Sequence, residues 1–151
     1  MADGNWGEYL TLLENLGGKL EELTDLERTK ALAVGRSDLE ELEECMKREQ
    51  VLSLSLRGVD QKRDAMLAQL GLRGVSLSQL EDHSPPELQL ETKRTVEQLR
   101  RQYTLFQSAS QVARDTLEIN LRAIERLQAA QAGGTAEAEE QRKDHQTDFR
   151  A

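Results

Sequence analysis

The strongest candidates for nucleophilic or metal-ligating chemistry in this sequence are two histidines, His83 and His145, and one cysteine, Cys45. His83 sits in a connector just ahead of Pro85-Pro86, and His145 lies in a polar C-terminal stretch. Neither has a cysteine or carboxylate at the spacing a metal site requires, so no metal ligands and no cofactor are assigned. Cys45 adjoins an apolar helical stripe, where a cysteine acts as a small hydrophobe more often than as a reactive thiol. The sequence contains no HExxH, CxxC or GxSxG and no glycine-rich phosphate loop. Catalysis requires side chains held to tight tolerance on a rigid scaffold, and none of these residues forms such a set. The expectation is therefore a non-enzymatic binding surface.

The elements that would position such a surface are helices. Ala, Glu, Lys, Leu and Arg make up just over half of the 151 residues, with only five aromatic residues and two prolines. That is the composition of long helices or coiled coil, and it lacks the β-branched and aromatic runs of a β-sandwich or barrel. The net charge of −8 argues against nucleic acid as a partner. No run approaches the ~20 apolar residues that span a bilayer. The N-terminal MADGNWGEY has no basic region followed by an apolar stretch, so a signal peptide is not expected and a cytoplasmic location is.

Three long helices are predicted, over about 6–34, 38–70 and 85–132. In the first, Asn5 is a candidate N-cap with Glu8 three residues on. Trp6, Tyr9, Leu13, Leu16, Leu20 and Leu23 form one stripe, with Gly17-Gly18 expected to mark a bend or a close helix contact and Gly35 to end the helix. Ser37-Asp38-Leu39-Glu40 reads as a capping box that starts the second helix. Its stripe is Leu39, Leu42, Met46, Leu52, Leu56, Val59, Met66 and Leu70, interrupted by Glu49 and Arg63 and ended by Gly71. Ser76-Leu77-Ser78-Gln79 is expected to start a short helical turn, and Ser84-Pro85-Pro86-Glu87 to cap the third helix. The third stripe runs through Val96, Leu99, Tyr103, Phe106, Ser110, Ala113, Leu117, Asn120, Ile124 and Leu127 in strict alternation of three and four. The expected fold class is all-α. The architecture is an elongated antiparallel three-helix bundle, coiled-coil-like, in one domain over 1–132 with a long C-terminal helix. A polar, disordered tail is expected over 133–151.

The third helix has more apolar surface than one seam requires. With Val96 at heptad position a, Leu105, Val112 and Ile119 all fall at c, and Ala109, Thr116 and Ala123 at g. The apolar and small face then covers four of the seven positions, wider than the stripe of an ordinary surface helix. In a three-helix bundle, contact with both other helices would account for it. Beyond Ala113 the helix is expected to outrun the other two, leaving Leu117, Ile119, Leu121, Ile124 and Leu127 without an internal partner. Such i, i+3, i+4, i+7 anchors suit helix-in-groove recognition. Asn120, at a core position, is either a register device or a hydrogen-bonding group for a partner.

Several features in order resemble the FlgN family of flagellar export chaperones, over roughly residues 8–130. Leu13, Leu16, Leu20, Leu23 and Glu27 resemble that family's leading leucine-rich helix. Ala31-Leu32 and Gly35-Arg36-Ser37-Asp38-Leu39 resemble its turn between helices. Lys47, Val51-Leu52, Arg63, Met66-Leu67 and Leu70-Gly71 resemble its second helix. Asn120, Leu121 and Ile124 resemble its asparagine-containing final helix. Where that family often has a second asparagine just upstream, this chain has Thr116 and Leu117. The resemblance implies a cytoplasmic, non-enzymatic chaperone. It would mask the amphipathic C-terminal helices of hook–filament junction proteins (FlgK and FlgL type) and deliver them to components of the flagellar type III export gate. It implies Leu117, Ile119, Asn120, Leu121, Ile124 and Leu127 as the partner-binding residues. The alternative is a coiled-coil adaptor that forms a homodimer through the same helix.

Overall fold

The structure is a computed structural model that describes residues 2–132. Among these residues all regular secondary structure is helical: α1 (Ala2–Gly35), α2 (Leu39–Gln69), the single turn α3 (Leu77–Leu80) and the long α4 (Gln89–Ala132), with 3-10 turns at Glu81–His83 and Pro86–Leu88 between α3 and α4. This is the expected all-α bundle with a long last helix. The tail 133–151, including His145, lies outside the described residues.

Helix α1 is the shared element. It packs along the lengths of both α2 and α4, which approach each other far less closely. The wide buried face therefore belongs to α1. Its expected stripe is buried throughout, and Leu10, Leu12, Thr24 and Glu27 beside it are buried as well. Helix α2 runs back along α1, and α4 runs parallel to α1. Trp6 Nε1 donates to Thr92 Oγ1 at 2.9 Å near the start of both helices, Gly17 meets the Gln102 side chain midway, and Leu117 packs on Ala33 and Val34 near the end of α1. Gly17 is thus a close contact: a β-carbon there would run into the Gln102 amide, whereas Gly18 faces open space.

The apolar core is concentrated at one end. Trp6, Tyr9, Leu10, Leu13, Leu16 and Leu20 of α1 pack with Leu67, Leu80, Val96 and Leu99. Full burial of each leucine contributes about 1.5–3 kcal/mol. Helix α3 closes this end by inserting Leu80, which is 1% exposed. A smaller cluster of Ala33, Val34 and Leu42, with Leu117 against it, holds the end where α1 turns into α2.

Several local expectations are corrected. Helix α1 begins at Ala2, so Asn5 lies within its first turns and does not cap it. The turn after α1 is a Schellman motif in which Asp38 N–H donates to Ala33 O at 2.9 Å and Ser37 N–H to Val34 O at 3.1 Å. The left-handed residue is Ser37, with φ 57°, and Gly35 stays helical. Ser37 therefore cannot cap α2. Asp38 does so, accepting from Glu41 N–H at 3.2 Å. The matching motif after α2 uses Gly71, φ 72°, as expected. Ser84 does not cap α4 either: its hydroxyl lies 2.9 Å from Thr92 Oγ1, joining the Trp6–Thr92 pair. On α2, Leu39 and Met46 are exposed while Cys45 and Leu67 are buried, because α2 lies against α1 alone for most of its length.

Candidate functional site

The outer flank of α4 is built on heptad position c, which the core does not consume, with the buried Ala109 and half-buried Thr116 of position g along its inner edge. Positions a and d face inward, with Val96, Leu99 and Ala113 buried and Tyr103, Phe106 and Leu117 half-buried. Position c faces water: Leu105 is 45%, Val112 58% and Ile119 66% exposed. Ala109 and Thr116 lie between them on the same flank, and the Thr116 hydroxyl donates to its own helix at Val112 O, 2.8 Å. Leu105, Ala109, Val112, Thr116 and Ile119 thus alternate four and three along one side of a continuous helix. A 44-residue helix, about 66 Å long, holds these anchors in fixed register.

The expected partner-binding residues divide among different environments. Leu117 has an internal partner after all, since it is half-buried against Ala33, Val34 and Leu42. Ile119 is among the most exposed apolar residues. Leu121 is half-buried. Asn120 is also half-buried, and its Nδ2 donates to Thr116 O at 2.8 Å, one turn back on its own helix. The Ile124 and Leu127 side chains lie outside the described residues. Leu117 lies level with the last turn of α1, so the final dozen residues of α4, about 18 Å, extend past the α1–α2 turn. At that end Leu32, 58% exposed, and Leu39, 74% exposed, add apolar surface. The sequence marked Leu105 and Val112 as position-c residues but did not place them in the site. Their exposure follows from α2 standing away from α4, which heptad labels do not reveal.

Beside this flank runs a charged strip of α1. Glu14, Gly18, Glu21, Asp25, Arg28 and Leu32, spaced four and three, are all exposed. Glu14 borders the same shallow cleft as Gln98 and Gln102 of α4, so the strip lies along the c and g side of α4. Arg28 approaches Asp25 at 3.7 Å, and the lower part of the strip is purely acidic.

A charged cluster stands between the two apolar ends of the bundle. Glu27, 4% exposed, faces Lys30 at 3.7 Å, and Lys30 Nζ donates to Glu49 Oε2 at 3.0 Å. Burial raises the pKa of Glu27 above the ordinary carboxylate value, against the opposing pull of Lys30. Cys45 nearby is buried, and burial followed by the Glu41 charge pushes its thiol up, which disfavours the nucleophilic thiolate. Glu49, which the sequence marked only as a break in the stripe, is thus one arm of an ion pair joining α2 to α1.

Among the described residues no group of three or more His, Cys, Asp or Glu side chains could hold a metal ion. No helix among them is long and apolar enough to cross a membrane. The arrangement offers an extended apolar flank with an acidic border, suited to laying one helix along another. No family model, curated protein or solved structure matches this chain.

Proposed function

We propose that this chain is a non-enzymatic cytoplasmic export chaperone that binds an amphipathic helix of a client along the outer flank of α4. Hook–filament junction proteins are the proposed clients, and the flagellar type III export gate is where they are delivered. The observation that carries the reading is the exposure of Leu105, Val112 and Ile119 at seven-residue spacing on a helix whose inner face is already engaged. Contiguous apolar surface of this kind marks interaction sites. An incoming disordered segment would fold on that flank, cover its own adhesive face, and pay the ordering entropy on binding, which moderates affinity and favours release at the gate. The FlgN resemblance of the sequence supports the same client class, and the reading needs no cofactor or nucleotide.

The test replaces Val112 and Ile119 together by Asp and measures binding of a junction protein's C-terminal segment by calorimetry, with helicity by circular dichroism. Both sites are exposed, so helicity should hold, while affinity falls at least ~10-fold, as expected for loss of central apolar anchors. Unchanged binding with intact helicity removes this flank from the site. The alternation of Ala109 and Thr116 with Leu105, Val112 and Ile119 along the flank also suits a homodimer seam. Sedimentation equilibrium separates the two readings, since the chaperone reading expects a monomer without client.

A further inference from the structure

We propose that the helix received on the α4 flank carries a basic edge, which lies against the acidic strip of α1. This rests on the reading of the flank as a docking surface and adds the partner's charge pattern to it. A helix lying along Leu105, Val112 and Ile119 has two borders. One is position f of α4, where Arg101, Ser108, Asp115 and Arg122 are mixed in charge, with Arg122 held by Glu118 at 3.9 Å. The other is the α1 strip, where Glu14 and Glu21 are exposed with Gly18 between them, and Asp25, approached by Arg28 at 3.7 Å, follows. The shared cleft of Glu14 with Gln98 and Gln102 fixes that strip beside the flank one turn below Leu105. The three-four spacing of α1 carries it upward in step with α4.

Gly18 contributes to the same border. Its β-carbon position meets no atom of this chain, so the fold does not require glycine there, although glycine inside a helix is costly. Its absent side chain lowers the wall between Glu14 and Glu21 and lets basic side chains of a docked helix reach both carboxylates. A second copy of this chain is a poorer fit, because it brings a further net charge of −8 to the seam.

The test uses the full chain and two labelled synthetic helical peptides with the same apolar heptad positions, one with lysine and one with glutamate at the flanking positions. Fluorescence anisotropy is read at low and moderate salt. The lysine peptide should bind at least ~10-fold more tightly at low salt, with the gap narrowing as salt rises. The double reversal Glu14→Lys and Glu21→Lys should remove or invert the preference with helicity unchanged. Single Glu21→Lys, at one exposed site, should shift it part of the way. Equal binding of both peptides, no binding of either, or a preference that survives the reversal overturns the inference. Affinity for both peptides that is lost in Ile119→Asp, with no charge preference, overturns the basic edge and leaves the docking flank standing.

Discussion

The two ends of the bundle are built to different standards. At the end holding Trp6, Tyr9, Leu13 and Leu16, three helices and the α3 turn close over large side chains, and Trp6 and Tyr9 rings meet at 6.4 Å. At the end where α1 turns into α2, the sealed core shrinks to Ala33, Val34 and Leu42 with half of Leu117, while Leu32, Leu39 and Ile119 face water. Between them stands the Glu27–Lys30–Glu49 layer. One end carries most of the buried apolar surface that holds the fold, and the other leaves apolar side chains exposed. Regions with few buried apolar contacts open most readily, and binding surfaces are drawn from them.

Mutations at the two ends sharpen this contrast. The largest expected effect is Leu16→Ala, at a fully buried site, which should cost about 2–5 kcal/mol in urea unfolding. Leu117→Ala, at the thin end, should cost roughly 1 kcal/mol, because a half-buried leucine gives up only part of its transfer energy. Equal losses at both sites would erase the distinction. Next is Thr92→Val, which removes the hydroxyl that accepts from Trp6 Nε1. It leaves a buried N–H without a partner and should cost about 1–3 kcal/mol, read by thermal unfolding.

Smaller effects probe the turn and the charged layer. Ser37→Gly should stabilise by about 0.5–1 kcal/mol, because Ser37 holds a left-handed conformation that costs an L-residue roughly 1–2 kcal/mol and glycine much less. Glu27 titrates with a raised pKa, so the folded state binds its proton more tightly than the unfolded state does. Relative to Glu27→Gln, the parent protein should gain stability as pH falls from neutral through the raised Glu27 value. The difference should level off below the ordinary carboxylate value. Urea midpoints of both proteins across that window give the sign, and a parent that loses stability relative to the variant would contradict the buried, desolvated placement of Glu27.

The sequence carried the helices well because their signal is periodic. The α1 stripe and the inner face of α4 were legible from three-four spacing alone, and Gly71 was legible as a left-handed stop. Ser37 was not, because glycine two residues earlier looked the better stop and only the Schellman bonds to Ala33 and Val34 place the turn. The Ser84 hydroxyl was misread for a related reason: its partner Thr92 is close only once α4 has folded over it. The flank itself was visible as position c. Its exposure was not, because it depends on which helix sits at the centre of the bundle, and that helix is α1 rather than α4. Glu14, Glu21 and Asp25 carry no site signal in the sequence, and their place beside the flank follows from the cleft that puts Glu14 beside Gln98.

Docking of another helix on the outer flank of α4 would bury its exposed apolar side chains. Methyl-resolved nuclear magnetic resonance of the full chain, titrated with a junction protein's C-terminal segment, tests it most directly. Shifts should concentrate at Leu105, Val112 and Ile119 and leave Leu13 and Leu16 unmoved. Shifts confined to Leu56 and Val59, on the face of α2, with Val112 and Ile119 silent, would contradict it.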